Sequence, residues 1–232
     1  MVRKLISILS LCALAITPLS TIPSAQADEP IMVFAASSLT DSFTTLGKRF
    51  EKLNPGLKVN FSFQSSSVLA NQINQGAPAD IFVSAEPFVG GENYLVNRMV
   101  IATPINSNIK RAIDLNNKVW IQCAPEVPCG KAATLALVGE GVKTQPVSLE
   151  PRASSVLAKL LSGEVDAGIV YRTDVLANSK RLRAIEFKNT KAAATQYQIA
   201  QISKSSKVNT LMTYLKSKNA LTFLQRKGFE VK

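Results

Sequence analysis

Two stretches near the start of the chain repeat one pattern, an apolar strand that runs directly into serines opening a helix. The first is Ile31-Met32-Val33-Phe34-Ala35-Ala36-Ser37-Ser38, followed by Leu39-Thr40-Asp41-Ser42-Phe43 with helical spacing on to Leu46 and Phe50. The second is Val59-Asn60-Phe61-Ser62-Phe63-Gln64-Ser65-Ser66-Ser67, followed by Val68, Leu69 and Ile73. The first N–H groups of a helix lack intrahelical partners and carry the positive end of its dipole. Serine is a favoured N-cap, so a hydroxyl joins those N–H groups at the same place. One such junction reads as ordinary capping. Two on neighbouring strands, with more serines than caps require, also read as a cage of neutral donors for an anion.

The first 27 residues stand apart from the fold. Arg3 and Lys4 form a charged start, Leu5 to Ile16 is apolar, and Ala25-Gln26-Ala27 is a small-x-small cleavage site before Asp28. These are the three parts of a secretory signal, so the mature protein is expected to be exported, periplasmic or otherwise outside the cytoplasm, and soluble. Cys12 lies inside the signal behind Leu11, where a lipoprotein signal has a small residue, which argues against lipid anchoring. The 205 residues that remain suffice for one large domain or two lobes. Without Arg3 and Lys4 the balance is 25 basic against 16 acidic residues, a net +9. The excess is scattered toward the C-terminal half, at Lys180, Arg181, Arg183, Lys204, Lys207, Lys216, Lys218, Arg226 and Lys227. With aromatics at only 6%, this reads as solvated helix faces and not as a nucleic-acid surface.

The chain has no histidine. That removes Ser-His-Asp and Cys-His catalysis and histidine-ligated zinc. A serine–lysine hydrolase survives formally, but no Ser-x-x-Lys opens a helix and no Gly-x-Ser-x-Gly is present. Gly-x-x-x-x-Gly-Lys is also missing. Binding is therefore the expected activity, not catalysis. Cys123 and Cys129 fall in one Pro-rich loop, Gln-Cys-Ala-Pro-Glu-Val-Pro-Cys-Gly. In an oxidising exported setting they read as a disulfide closing that loop, with two free thiols as the alternative.

Further along, Gly76-Ala77-Pro78-Ala79-Asp80 turns into the strand Ile81-Phe82-Val83-Ser84, giving an order β-α-β-α-β and a parallel sheet flanked by helices. Glu86 to Asn97 is mixed, with Gly90-Gly91 marking a loop. Strands are expected at 98–103, 118–122, 167–171, 184–187 and 197–202. An Ala-rich helix is expected over 131–138, another from Val156 to Leu161 ended at Gly163, and one amphipathic closing helix over 208–226. Two more strand-to-helix junctions fall at Pro128-Cys129-Gly130-Lys131, where glycine permits close backbone approach to a ligand, and at Glu150-Pro151-Arg152-Ala153-Ser154-Ser155. Ligands of such sheets bind beyond the C-terminal ends of the strands. Ser37, Ser38, Ser65 and Ser66 fall there, and Tyr171 ends its strand with a phenol that either packs or donates into the same cleft.

These residues together resemble the periplasmic molybdate-binding proteins of ABC transporters, over nearly the whole mature length. The resemblance rests on 33–41 (Val-Phe-Ala-Ala-Ser-Ser-Leu-Thr-Asp), Gln64-Ser65-Ser66-Ser67, the run from Gly76 to Ala85, Val127-Pro128-Cys129-Gly130, the run from Gly163 to Tyr171, and Gly228-Phe229. It implies an α/β fold, a type II periplasmic binding protein clamshell of two lobes. Each lobe would be a mainly parallel sheet flanked by helices, with the ligand in the cleft between them. Residues 28–101 and 196–232 would form one lobe and 102–195 the other. The ligand would be a dehydrated tetrahedral dianion, molybdate or tungstate, held by neutral hydrogen-bond donors, with sulfate or another small oxyanion as the alternative. Carried over by position, Ser38 and Ser66 would give hydroxyl and backbone N–H donors, Cys129 and Ala153 backbone N–H donors, and Tyr171 its phenol. The chain departs from the family in having Cys129 where a small residue is usual and Pro151-Arg152 ahead of Ala153. The resemblance further implies no cofactor, no metal other than the molybdenum of the ligand, a membrane permease as partner, no nucleic acid, and a monomer.

Overall fold

The protein is described here from a computed structural model covering residues 29–231. The secretory signal, its cleavage site and Cys12 lie outside the described residues. Among those described, no helix is long and apolar enough to cross a membrane.

The doubled motif folds as its pattern requires. Strand β1 (Ile31–Ala36) passes through a single 3-10 turn, Ser37–Leu39, into helix α1 (Thr40–Leu53). Strand β2 (Val59–Gln64) leads into α2 (Ser66–Asn74), and β3 (Ile81–Ser84) follows. Both β2 and β3 pair with β1 in parallel. Helix α1 buries Phe43, Leu46 and Phe50, a spacing that places all three on one helix face against the sheet. The second lobe repeats the arrangement. Strand β5 (Trp120–Cys123) leads to α3 (Pro128–Leu137), β6 (Ser148–Glu150) to α4 (Ala153–Ser162), and then comes β7 (Ala167–Tyr171). Strand β5 pairs in parallel with both β6 and β7. Helix α4 ends at Gly163, whose φ of 81° is the left-handed conformation of a helix stop.

What joins the halves is antiparallel. Strand β4 (Glu92–Pro104) runs 13 residues. Its first part pairs with β9 (Ala194–Gln201) and β10 (Glu230–Val231), its last part with β7 and β8 (Leu182–Ile185). Strand β9 then pairs with β3. The path is β2-β1-β3-β9-β4-β7-β5-β6. The parallel character expected of each lobe thus belongs to its three outer strands. Two lobes result, with separate apolar cores. One is built from residues 31–95 and 197–229 around Phe43, Phe50 and Leu211, the other from residues 99–193 around Trp120, Val156 and Ile169.

Several local expectations change. Residues 92–97, read as mixed, belong to β4: from Tyr94 to Asn97 every residue is buried, and the Tyr94 hydroxyl donates to the Leu215 carbonyl at 2.7 Å. Strand β8 begins two residues before the expected 184, and β9 begins at Ala194, ahead of the expected 197. A short helix α5 (Arg172–Ala177) directly follows β7 with no turn signal in the sequence. The single closing helix is two, α6 (Ser206–Leu215) and α7 (Lys218–Arg226). Ser217 breaks it by adopting an extended conformation and accepting the Ala220 N–H at 3.3 Å, an N-cap placed inside an otherwise continuous amphipathic pattern.

The cysteine loop is closed by the Cys123–Cys129 disulfide, with Cα atoms 5.7 Å apart. Gly130 is needed for a reason other than a ligand. A Cβ there would lie 1.8 Å from the Ala124 carbonyl oxygen, so glycine lets the start of α3 press against the end of β5. Replacing both cysteines with serine should cost about 2 kcal/mol, the stabilisation that loop-closure entropy assigns to so short a loop. Urea unfolding of the variant, compared with the oxidised and reduced parent chain, measures it; the variant should match the reduced parent.

Candidate functional site

Four strand ends, those of β1, β2, β5 and β6, each hand the chain to a helical turn at its N-terminus. At none of these starts does the residue ahead of the first turn, Ala36, Leu39, Ser65, Val127 or Arg152, make a side-chain capping bond. Ser205 and Ser217 show what ordinary capping looks like here, each accepting an N–H three residues on. The serines of the doubled motif are therefore not spent on their own helices. The parallel strands of each lobe place these starts along one edge of its sheet, and the antiparallel junction turns the two edges toward each other. Ser38, Ser66, Cys129, Ala153 and Tyr171 all line one cavity, joined by Gln64 and Arg152. In the measure by which one water needs about 10–15 Å³, the cavity is about 20 Å³, room for a compact guest.

The serine hydroxyls are held by fixed partners. Ser66 Oγ accepts the Ala85 N–H at 2.8 Å, which leaves its own hydrogen for a further acceptor. Ser38 Oγ lies 2.8 Å from the Tyr197 hydroxyl. Tyr197 is fully buried, and desolvation pushes its phenol well above the ordinary value. It keeps its proton, and either hydroxyl of the pair can be the donor. Burial likewise raises Tyr171 to about 12, with the carboxylates of Asp174 and Glu86 adding to the effect. Tyr171 and Tyr197 stand with ring centres 6.2 Å apart. From the second lobe come the first N–H groups of α3 and α4, at Cys129 and Ala153, which have no intrahelical partner. The disulfide fixes Cys129 from its side-chain end.

The expectation of a purely neutral lining needs correction. Arg152, read in sequence only as part of a turn, lines the cavity. Its extended backbone at the start of α4 (φ −164°, ψ 158°) accompanies a side chain that crosses to the first lobe, where Nη1 donates to Gln64 Oε1 at 2.7 Å. A second link between the lobes is the ion pair of Lys131 with Glu86, whose other carboxylate oxygen accepts from Ser67 Oγ at 3.1 Å.

Sequence reasoning also missed Asp174. Its carboxylate accepts the Tyr171 N–H at 3.2 Å and so anchors the end of β7 to α5. An acidic residue three positions after a strand end is the available signal, since that is where a carboxylate reaches back to a helix start. Asp174 also lines a neighbouring cavity of about 150 Å³ together with Asp41, Ser38 and Lys227.

Residues 31–230 match the family described as bacterial extracellular solute-binding protein. The molybdate-binding protein ModA of Mycobacterium bovis is 35% identical over 197 residues, covering 78% of this chain and 76% of that protein. The molybdate-binding protein ModA of Escherichia coli is 30% identical over 239 residues, covering 90% and 92%. Among solved structures, the periplasmic molybdate-binding protein of Azotobacter vinelandii superposes with a TM-score of 0.74 at 18% identity, covering 87% of this chain and 99% of that one. These relatives are solute-binding proteins, not enzymes.

Asp174 makes the fold sensitive to pH. Desolvation, the largest effect, with Asp41 adding to it and the Tyr171 N–H opposing, raises its carboxyl to about 7. A raised carboxyl binds more protons in the folded than in the unfolded state, so stability is full at low pH and is lost as pH rises through about 7. Because Asp174 is partly open to the second cavity, the effect is on the order of 2 kcal/mol. Thermal unfolding from acid to mildly alkaline pH should show the parent chain losing stability relative to Asp174→Asn across that interval. Parallel curves would contradict the assignment.

Proposed function

The chain belongs to the family of bacterial extracellular solute-binding proteins, and from that starting point we propose that it captures molybdate outside the cytoplasm and delivers it to an ABC permease. The observation that carries this reading is the meeting of five donor positions, Ser38, Ser66, Cys129, Ala153 and Tyr171, at one small cavity. Relatives named as molybdate-binding proteins span most of the chain. Removing a dianion from water requires replacing its hydration with dipoles already in place. Preoriented N–H and O–H groups do this, and each hydrogen bond to a charged oxygen is worth about 1.5–3 kcal/mol.

Selectivity follows from what the cavity presents. A monoprotonated oxyanion such as hydrogen phosphate brings an O–H in need of an acceptor, and the Gln64 carbonyl that lines the cavity already accepts from Arg152. Sulfate is a dianion too and is rejected on size. Molybdate and tungstate are nearly equal in size and charge, so both are bound. In this reading residues 28–101 with 196–232 and residues 102–195 are the lobes that close on the anion. Closure forms the joint face that a permease meets. The protein acts as an exported monomer, without cofactor or nucleic acid.

Calorimetric titration of the purified chain with molybdate, tungstate and sulfate tests the reading: the first two should bind tightly and sulfate far more weakly. Preferred binding of sulfate would overturn it. Ser38→Ala and Ser66→Ala should each weaken molybdate by about 1–3 kcal/mol, and an unchanged affinity would remove that serine from the site.

A further inference from the structure

The guanidinium of Arg152 is the one cationic group lining the cavity among the described residues, and it is held in an unusual way. Nη1 is engaged by Gln64 from the opposite lobe at 2.7 Å. Nε is buried and has no hydrogen-bond partner among the described residues. Leaving a buried donor unsatisfied is costly, more so when it is charged, and calls for an explanation. Gln64 grips only one edge of the planar group. The edge that carries Nε is the one whose parallel N–H bonds match an oxyanion.

The local field adds a second reason. Glu86 and Asp174 stand near enough to Tyr171 to raise its pKa by their charge, and the same carboxylates oppose an anion beside that phenol. The negative charge of Glu86 is offset by Lys131. For Asp174 no ion pair is found among the described residues. To the extent that Asp174, its carboxyl raised to about 7, is ionised, a cavity lined only by neutral dipoles would meet its repulsion. Arg152 supplies the compensating charge from within the lining.

We propose that Arg152 donates Nε–H to the bound oxyanion, makes the site selective for doubly over singly charged tetrahedral anions, and through Gln64 ties anion capture to closure of the lobes. This rests on the oxyanion reading of the cavity and adds a charged donor to it. An anion placed against Nε favours the position in which Nη1 reaches Gln64, and that contact exists only when the two lobes are together. Gln64 is therefore a positioning residue for the guanidinium.

The test is calorimetric titration of the parent chain, Arg152→Gln, Arg152→Lys and Gln64→Ala with molybdate, sulfate and perrhenate, the last a tetrahedral anion of similar size to molybdate with a single charge. Thermal unfolding of each unliganded variant establishes that it is folded. Arg152→Gln should lose roughly 10- to 100-fold in molybdate affinity and proportionally less for perrhenate. Arg152→Lys should recover part of that loss at low salt and give it up as salt is raised. Gln64→Ala should weaken molybdate less than Arg152→Gln does. A molybdate loss under about threefold in folded Arg152→Gln, or equal losses for both anions, overturns the role of Arg152 while leaving the molybdate reading in place. A parent chain that prefers sulfate overturns the molybdate reading alone, and the same variants then decide Arg152 with sulfate. A parent chain that binds none of the three overturns both.

Discussion

Strand β4 is the constraint on which the rest of the molecule depends. Its 13 residues pair with β9 and β10 at one end and with β7 and β8 at the other, so one continuous strand belongs to the sheets of both lobes. Because those pairings are antiparallel, the parallel strands on either side run with their C-terminal ends toward a shared cleft. The same register sets Tyr171 opposite Met99 and Tyr197 opposite Leu95, and the two rings stand with centres 6.2 Å apart. A strand in two sheets also keeps the cores apart. One apolar cluster takes in β4 up to Leu95, the other from Met99 onward.

From that geometry follows the character of the cavity. Ser66 takes the Ala85 N–H as acceptor, and Tyr197, too buried to ionise, backs Ser38. Ser66 is thereby left with a hydrogen not needed elsewhere. Helix starts supply backbone donors without the cost of burying a counter-charge. Arg152 adds a single charge where carboxylates stand close by, held by a glutamine from the facing lobe. The arrangement favours a compact anion that has no hydrogen of its own to place.

Much of this was legible in the residues. The alternation of apolar strand and serine-led helix at Ile31–Phe50 and Val59–Ile73 is local chemistry, and it folds locally as read. The disulfide was legible because Cys123 and Cys129 sit in one short loop with no other ligands nearby. The misreadings have a common origin. Tyr94 to Asn97 read as mixed after the Gly90-Gly91 loop, yet their burial comes from strands and helices that follow far along the chain. Ser217 looked like one polar residue on a helix face, and only packing of α6 and α7 on the first lobe's core makes the break worthwhile. Asp174 carried one local signal, its place three residues after the end of β7, but its role beside the second cavity depends on the fold.

By itself the sequence determined most elements and the chemistry at their tips: the serine-led strand-to-helix junctions, that no imidazole takes part, and that hydroxyl and backbone donors cluster at strand ends. These depend on neighbours a few positions away, and a chain carries that information directly. The tertiary structure alone decided that the tips of two lobes share one cavity, that Gly130 serves the Ala124 carbonyl, and that Arg152 reaches across to Gln64. Those facts depend on contacts between residues up to 159 apart, as in the Ser38–Tyr197 pair. They are fixed by how strand β4 bridges the two sheets, and a one-dimensional pattern does not record that.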